Sequence, residues 1–146
     1  NAGFGIEESG KYLWADAIYY GDAALAGLRM LEILDISGKT FSQLASEFPK
    51  YYMEKVAIKC GDELKKKVLE KSSEILKNKM KEDITDIITI DGVKVILSDD
   101  SWILLRPSGT EPVFRVFAES NDKKRVHELI KLGEEVVKKA ISMLSN

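Results

Sequence analysis

The run Arg106-Pro107-Ser108-Gly109-Thr110-Glu111-Pro112, followed by Arg115, combines residue types suited to holding a phosphate group. Arginine supplies a planar fork of donors that matches a phosphate dianion and stays charged at any working pH. Ser108 and Thr110 add hydroxyl donors, and Gly109 lets the backbone come close and turn its N–H groups inward. Pro107 and Pro112 fix φ on either side, so the loop is partly organised before a ligand arrives. A surface turn uses the same Pro, Ser, Gly and Thr residues, but it does not call for an arginine at each flank. At the other end of the chain, Glu7-Glu8-Ser9-Gly10 offers a carboxylate and a hydroxyl of the kind that bind adjacent sugar hydroxyls. Gly5 and Gly10 give that loop room to approach a ring. Taken alone this second run is a weak signal.

The elements that must carry these residues are legible in the pattern. Asp22 is placed to cap a helix through Leu25, Leu28, Leu31 and Leu34, which Gly38 ends. Thr40 and Gln43 form a capping box for a short helix over Phe41 to Glu47, stopped by Pro49. Phe48-Pro49-Lys50 is the expected hinge, separating residues 1–49 from a second unit, 50–146. In that unit Met53 to Lys59 alternates as a strand, and Asp62 to Met80 is helical, with Leu64, Val68, Leu69, Ile75, Leu76 and Met80 on one side. Asp91-Gly92 marks a hairpin between Ile84–Ile90 and Val93–Leu97. Ser101 to Arg106 and Val113 to Glu119 are further strands, and Asn121-Asp122 opens a last helix. The pattern predicts an α+β fold, an antiparallel sheet with two helices on one face. Phe114, Val116 and Ala118 alternate with Arg115 and Glu119, so Arg115 is expected opposite the core, beside Arg106.

Composition narrows the function classes. The chain has 146 residues, 45% apolar and 32% charged, with a formal charge of −2, the profile of a globular protein. Near-balanced charge argues against nucleic acid as a partner, and no apolar run is long enough to cross a membrane as a helix. One cysteine, Cys60, excludes an internal disulfide and any cysteine-rich zinc site. The reducing cytoplasm is the expected compartment. The lysines of the 62–80 helix alternate with Glu63, Glu70 and Glu74 and are expected to form a solvated face. His127 is expected at the surface, Cys60 as a small buried residue, and Trp14 and Trp102 in the core.

Arg106-Pro107-Ser108-Gly109-Thr110-Glu111-Pro112 with Arg115 resembles the phosphate-binding loop of the α-D-phosphohexomutases, the phosphoglucomutase/phosphomannomutase family. Glu7-Glu8-Ser9-Gly10 resembles the sugar-binding loop of that family's third domain. The two motifs stand in the family's order, so the resemblance spans essentially the whole chain. It implies that residues 1–49 are the end of the third domain and 50–146 a TATA-binding-protein-like last domain. It further implies a reaction in which a phosphoserine elsewhere in the enzyme exchanges phosphoryl groups with a hexose 1- or 6-phosphate. A bisphosphorylated sugar forms, turns around and returns the other phosphoryl group. Arg106, Ser108, Gly109, Thr110 and Arg115 would hold the phosphate that is not reacting, and Glu7 and Ser9 the sugar hydroxyls. No residue of this chain is implied to be catalytic. The serine loop and the aspartate-rich magnesium loop belong to other domains, so Mg and the N-terminal domains are partners that the resemblance implies. Lys11 stands where the family commonly has histidine and can contact substrate phosphate instead. Ile6 and Ala23 replace frequent glycines. Glu8 resembles the gluco/manno enzymes more than phosphoglucosamine mutases. A phosphoglucosamine mutase, or a non-catalytic phosphate-binding module, is the alternative.

Overall fold

The computed structural model describes residues 3–7, 9–17 and 20–145, and the chain divides into two compact units, Asn1–Pro49 and Lys50–Asn146. In the first, β1 (Phe4–Ile6) and β2 (Tyr12–Trp14) form an antiparallel hairpin in the register Phe4↔Trp14 and Ile6↔Tyr12. Strands of three residues are too short to show an alternation, and the sequence pattern did not reveal them. α1 (Ala23–Ser37) starts where the Asp22 carboxylate accepts from Leu25 N at 2.9 Å. It ends at Gly38, whose φ of +63° turns its N–H back onto the Leu34 and Asp35 carbonyls. α2 (Phe41–Ser46) opens on the expected capping box, with Gln43 N donating to Thr40 Oγ1 at 3.3 Å and Thr40 N to Gln43 Oε1 at 2.8 Å. Neither helix buries a residue within this unit, and Leu28, Leu31, Ile33, Ile36 and Phe41 are all exposed.

The second unit is α+β. β3 (Tyr52–Lys59), β4 (Ile84–Ile88), β5 (Val93–Leu97), β6 (Trp102–Pro107) and β7 (Val113–Ser120) form one antiparallel sheet in the order β3-β7-β6-β5-β4. α3 (Lys65–Lys79) and α4 (Lys123–Leu144) supply the buried Val68 and Leu76, and Val126, Leu129, Val137 and Ala140. These join Val95, Ile103, Leu105, Phe114, Val116 and Ala118 in a single core, so both helices cover one sheet face. The alternation of β7 is the reason: every second residue enters the core and the others face away. Gly133 sets how closely α4 lies on the sheet, since a Cβ there would stand 2.5 Å from Val116 Cγ1 and 2.8 Å from Ile103 Cδ1.

Three expectations need correction. α3 begins at Lys65 rather than Asp62, because Leu64 N and Lys65 N bond back to the Gly61 and Asp62 carbonyls in a tight turn. β4 ends at Ile88, and Ile90 is almost fully exposed. Neither tryptophan is in the core. Trp14 lies under the Arg29 guanidinium, 4.5 Å from its ring centre. Trp102 sits on the helix-free face, its Nε1 donating to Glu119 at 2.9 Å and its ring beneath Lys94 Nζ at 3.8 Å. Among the described residues no helix is long and apolar enough to cross a membrane.

Candidate functional site

β6 and β7 are joined by residues 107–112, and their register places Arg106 directly opposite Arg115. Two like charges at facing positions of a strand pair destabilise the sheet unless something negative stands with them. Here each guanidinium has a carboxylate. Arg106 Nη2 lies 2.7 Å from Asp91 Oδ2, and Arg115 Nη2 is ion-paired with Glu111. Both side chains lie on the helix-free face, Arg106 44% and Arg115 33% exposed, as Leu105 and Val116 beside them point into the core.

Asp91 reaches Arg106 because of Gly92. The β4–β5 hairpin turns there with φ +102°, and a Cβ on Gly92 would lie 2.3 Å from the Leu105 carbonyl oxygen. Only glycine permits that approach. The Asp91-Gly92 pair is thus a hairpin turn, as expected, and also the source of a carboxylate for the loop arginine.

Within the loop, Ser108 N donates to Val113 O at 3.0 Å and Val113 N to Glu111 O at 2.7 Å, which close the connection on itself. Ser108 differs from the expectation of an outward hydroxyl donor. It is buried, and its Oγ accepts from Glu111 N at 3.3 Å. Thr110 is exposed. Gly109 has no positive φ, and a Cβ there would meet nothing within 4 Å. The fold itself makes no demand for glycine at 109, so the space beside it is open to a ligand. Neither Gly109 N nor Thr110 N donates to any described protein group. Cys60 N donates to Pro112 O at 3.0 Å, fastening the end of β3 to the loop, while burial pushes the Cys60 thiol up from its ordinary pKa.

Sequence reasoning missed Lys65. The lysine pattern places it on a solvated face, yet its side chain is only 12% exposed. Its Nζ donates to the carbonyls of Ser108 at 2.5 Å and Glu111 at 2.6 Å, and pairs with Asp62 Oδ1 at 2.6 Å. The signal was available: Lys65 stands three residues before Val68 and four before Leu69, on the stripe that α3 turns inward.

The second motif forms the tip of the β1–β2 hairpin. Glu7 N donates to Lys11 O and Gly10 N to Glu7 O, both at 2.9 Å, and Gly10 takes the φ of +80° that closes the turn. Glu7 Oε2 accepts from Ser9 Oγ at 3.1 Å and lies 3.4 Å from Lys11 Nζ, all three residues being exposed. Glu7, Ser9 and Lys11 thus form one polar cluster, and Glu8 lies outside the described residues. His127 is at the surface, 3.6 Å from Glu54. Among the described residues no three His, Cys, Asp or Glu side chains gather as a metal site.

Residues 56–132 match the model of the phosphoglucomutase/phosphomannomutase C-terminal domain, and residues 1–52 that of the same family's alpha/beta/alpha domain III. A probable phosphoglucosamine mutase of Methanobrevibacter smithii is 38% identical over 97% of the chain and 31% of its own length. A phosphopentomutase of Thermococcus kodakarensis is 38% identical over 77% of the chain and 25% of its own. A phosphoglucomutase/phosphomannomutase of the same organism is 36% identical over 97% of the chain and 30% of its own. The chain thus spans about a third or less of the length of these curated relatives. Among solved structures, a phosphoglucomutase/phosphomannomutase family protein of Burkholderia thailandensis shares the fold, with TM-score 0.73 and 23% identity over 95% of this chain and 28% of that one.

Proposed function

The chain belongs to the phosphoglucomutase/phosphomannomutase family, and from that premise we propose that it supplies the phosphate-binding and sugar-binding loops of a phosphohexomutase. That enzyme interconverts hexose 1-phosphate and 6-phosphate of glucose or mannose through a bisphosphorylated sugar. The observation that carries this reading is the cross-strand pair Arg106 and Arg115 at the mouth of a loop with two unspent N–H groups. A phosphate there takes the place of Asp91 and Glu111 on the two guanidinium groups and accepts from Gly109 N and Thr110 N. Because each arginine trades one anion for another, part of the phosphate's attraction is offset by the displaced carboxylates. Moderate affinity suits a site whose ligand must let go, turn around and bind by its other end. Glu7 and Ser9 take the sugar hydroxyls, and Lys11 adds a cation beside them. The remaining domains, in this reading, bring the phosphoserine and any magnesium. The exposed apolar faces of α1 and α2 are the surface such a larger enzyme would cover.

The names of relatives at 38% identity support a second substrate, an amino-sugar phosphate. Comparing turnover of glucosamine phosphates with glucose and mannose phosphates by the full-length protein decides between them. The phosphate site itself is tested by calorimetry of the full-length protein with glucose 1-phosphate. Removing the guanidinium in Arg106→Ala should weaken binding by about 1.5–3 kcal/mol, the range for hydrogen bonds to charged groups. Unchanged affinity rejects the assignment.

A further inference from the structure

We propose that Lys65 is a positioning residue for the phosphate loop, fixing the peptide planes of residues 108–111 so that donors and not acceptors face the anion. The inference rests on reading 106–115 as a phosphate site.

An ammonium group has three N–H bonds. Those of Lys65 have three acceptors, the carbonyl oxygens of Ser108 and Glu111 and the Asp62 carboxylate, at 2.5, 2.6 and 2.6 Å. None is left for a ligand, which separates Lys65 from Arg106 and Arg115. What it controls is orientation. A trans peptide is planar, with its C=O and N–H pointing in opposite directions, and the chain has no cis bond among its described residues. Drawing the Ser108 oxygen onto Lys65 therefore turns Gly109 N–H to the far side, where it has no protein acceptor. A flip of that one peptide would aim a carbonyl at the anion in place of a donor. Glu111 O, held by Lys65 and by Val113 N, anchors the other end of the turn, ahead of a proline that has no N–H to contribute. Lys65 itself is anchored at the first turn of α3, which is tied to the core through Val68. The loop is thus registered against a helix as well as against its two strands.

The test uses the full-length protein, with inorganic phosphate as the probe in calorimetry. Hydrogen exchange read by mass spectrometry follows a peptide spanning 107–113. Lys65→Met keeps the buried stem and removes the donors. It should lower phosphate affinity about tenfold, the loss of one charge-assisted hydrogen bond. Exchange should speed up in 107–113, while the β5 and β6 peptides and the thermal midpoint of the sheet stay near wild type. Lys65→Arg, whose planar fork can reach one carbonyl but not all three acceptors, should recover part of both losses, and it carries the same readouts if Lys65→Met does not fold. Unchanged phosphate affinity, or a loss of affinity with no change in loop exchange, overturns the proposal. Arg106→Ala run alongside separates the two readings. A loss there with none at Lys65 leaves the phosphate site standing and removes the clamp. No loss in Arg106→Ala removes the site itself.

Discussion

Gly92→Ala tests how the loop arginine is held, because one methyl group meets two obstacles at that position. The first is conformational. An L-residue in the left-handed region loses about 1–2 kcal/mol, and φ +102° lies beyond the small left-handed pocket open to alanine. The second is steric. The new Cβ would stand 2.3 Å from Leu105 O and 3.2 Å from Arg106 Cα, both backbone atoms of a central strand that no side-chain rotation can relieve. Forced backbone displacement of this kind costs about 1–3 kcal/mol. The expected loss is about 3 kcal/mol. For a unit of about 100 residues that corresponds to a fall of roughly 15 °C in melting temperature. Urea unfolding followed through Trp102, on the neighbouring strand, measures it. A loss under about 1 kcal/mol would show that the hairpin tip moves freely away from β6, refuting the claim that Gly92 fixes Asp91 against Arg106.

Gly109→Ala is the counterpart at a glycine with open space around it. Stability should stay within about 0.5 kcal/mol of wild type, while phosphate affinity falls in calorimetry; retained affinity would mean the anion does not lie against the backbone there. Asp99 gives a pH signature. Burial pushes its carboxyl up, but hydrogen bonds from Ser101 and the nearby Arg125 outweigh this and hold it below the ordinary value. Its stabilisation is therefore present above the unfolded pKa of about 4 and is lost as pH falls through the folded one. Asp99→Asn should lower the urea midpoint at pH 7 and flatten the loss of stability toward pH 3; parallel curves for the two proteins would refute it.

The strands and helices of the second unit were legible because their periods are clean. β7 sends Phe114, Val116 and Ala118 into the core at every second position, and α4 repeats its apolar positions through Ala140. The face of Arg115 followed from the same alternation, while the register that sets it opposite Arg106 is a property of the folded sheet. Three-residue strands carry too few positions to show a period, so the β1–β2 hairpin was not. The partners of the arginines were harder still. Asp91 lies fifteen positions from Arg106 and reaches it only through the Gly92 turn, which a local pattern cannot encode. Lys65 was hidden by its neighbours: among so many lysines, charge composition outvoted the one that falls on the inward stripe. Trp102 is expected in the core, whereas its indole N–H and its ring each find a polar partner on the open face.

The strand order has a consequence for how the molecule comes together in time. β4, β5, β6 and β7 are consecutive in the chain and pair through short connections, so they can zip as each is made. β3 is synthesised first, yet its partner is β7, with Tyr52 opposite Ser120 and Lys59 opposite Val113. It must wait for the whole meander, and closing that long loop is the slow step in such a topology. The β6–β7 connection needs the end of β3, through Cys60 and Pro112, and the start of α3, through Lys65, before it is held on both sides. Competence to bind an anion should therefore be acquired late in folding, after the sheet has its native strand order. In a stopped-flow refolding experiment, protection of residues 107–113 should lag behind that of β5 and β6.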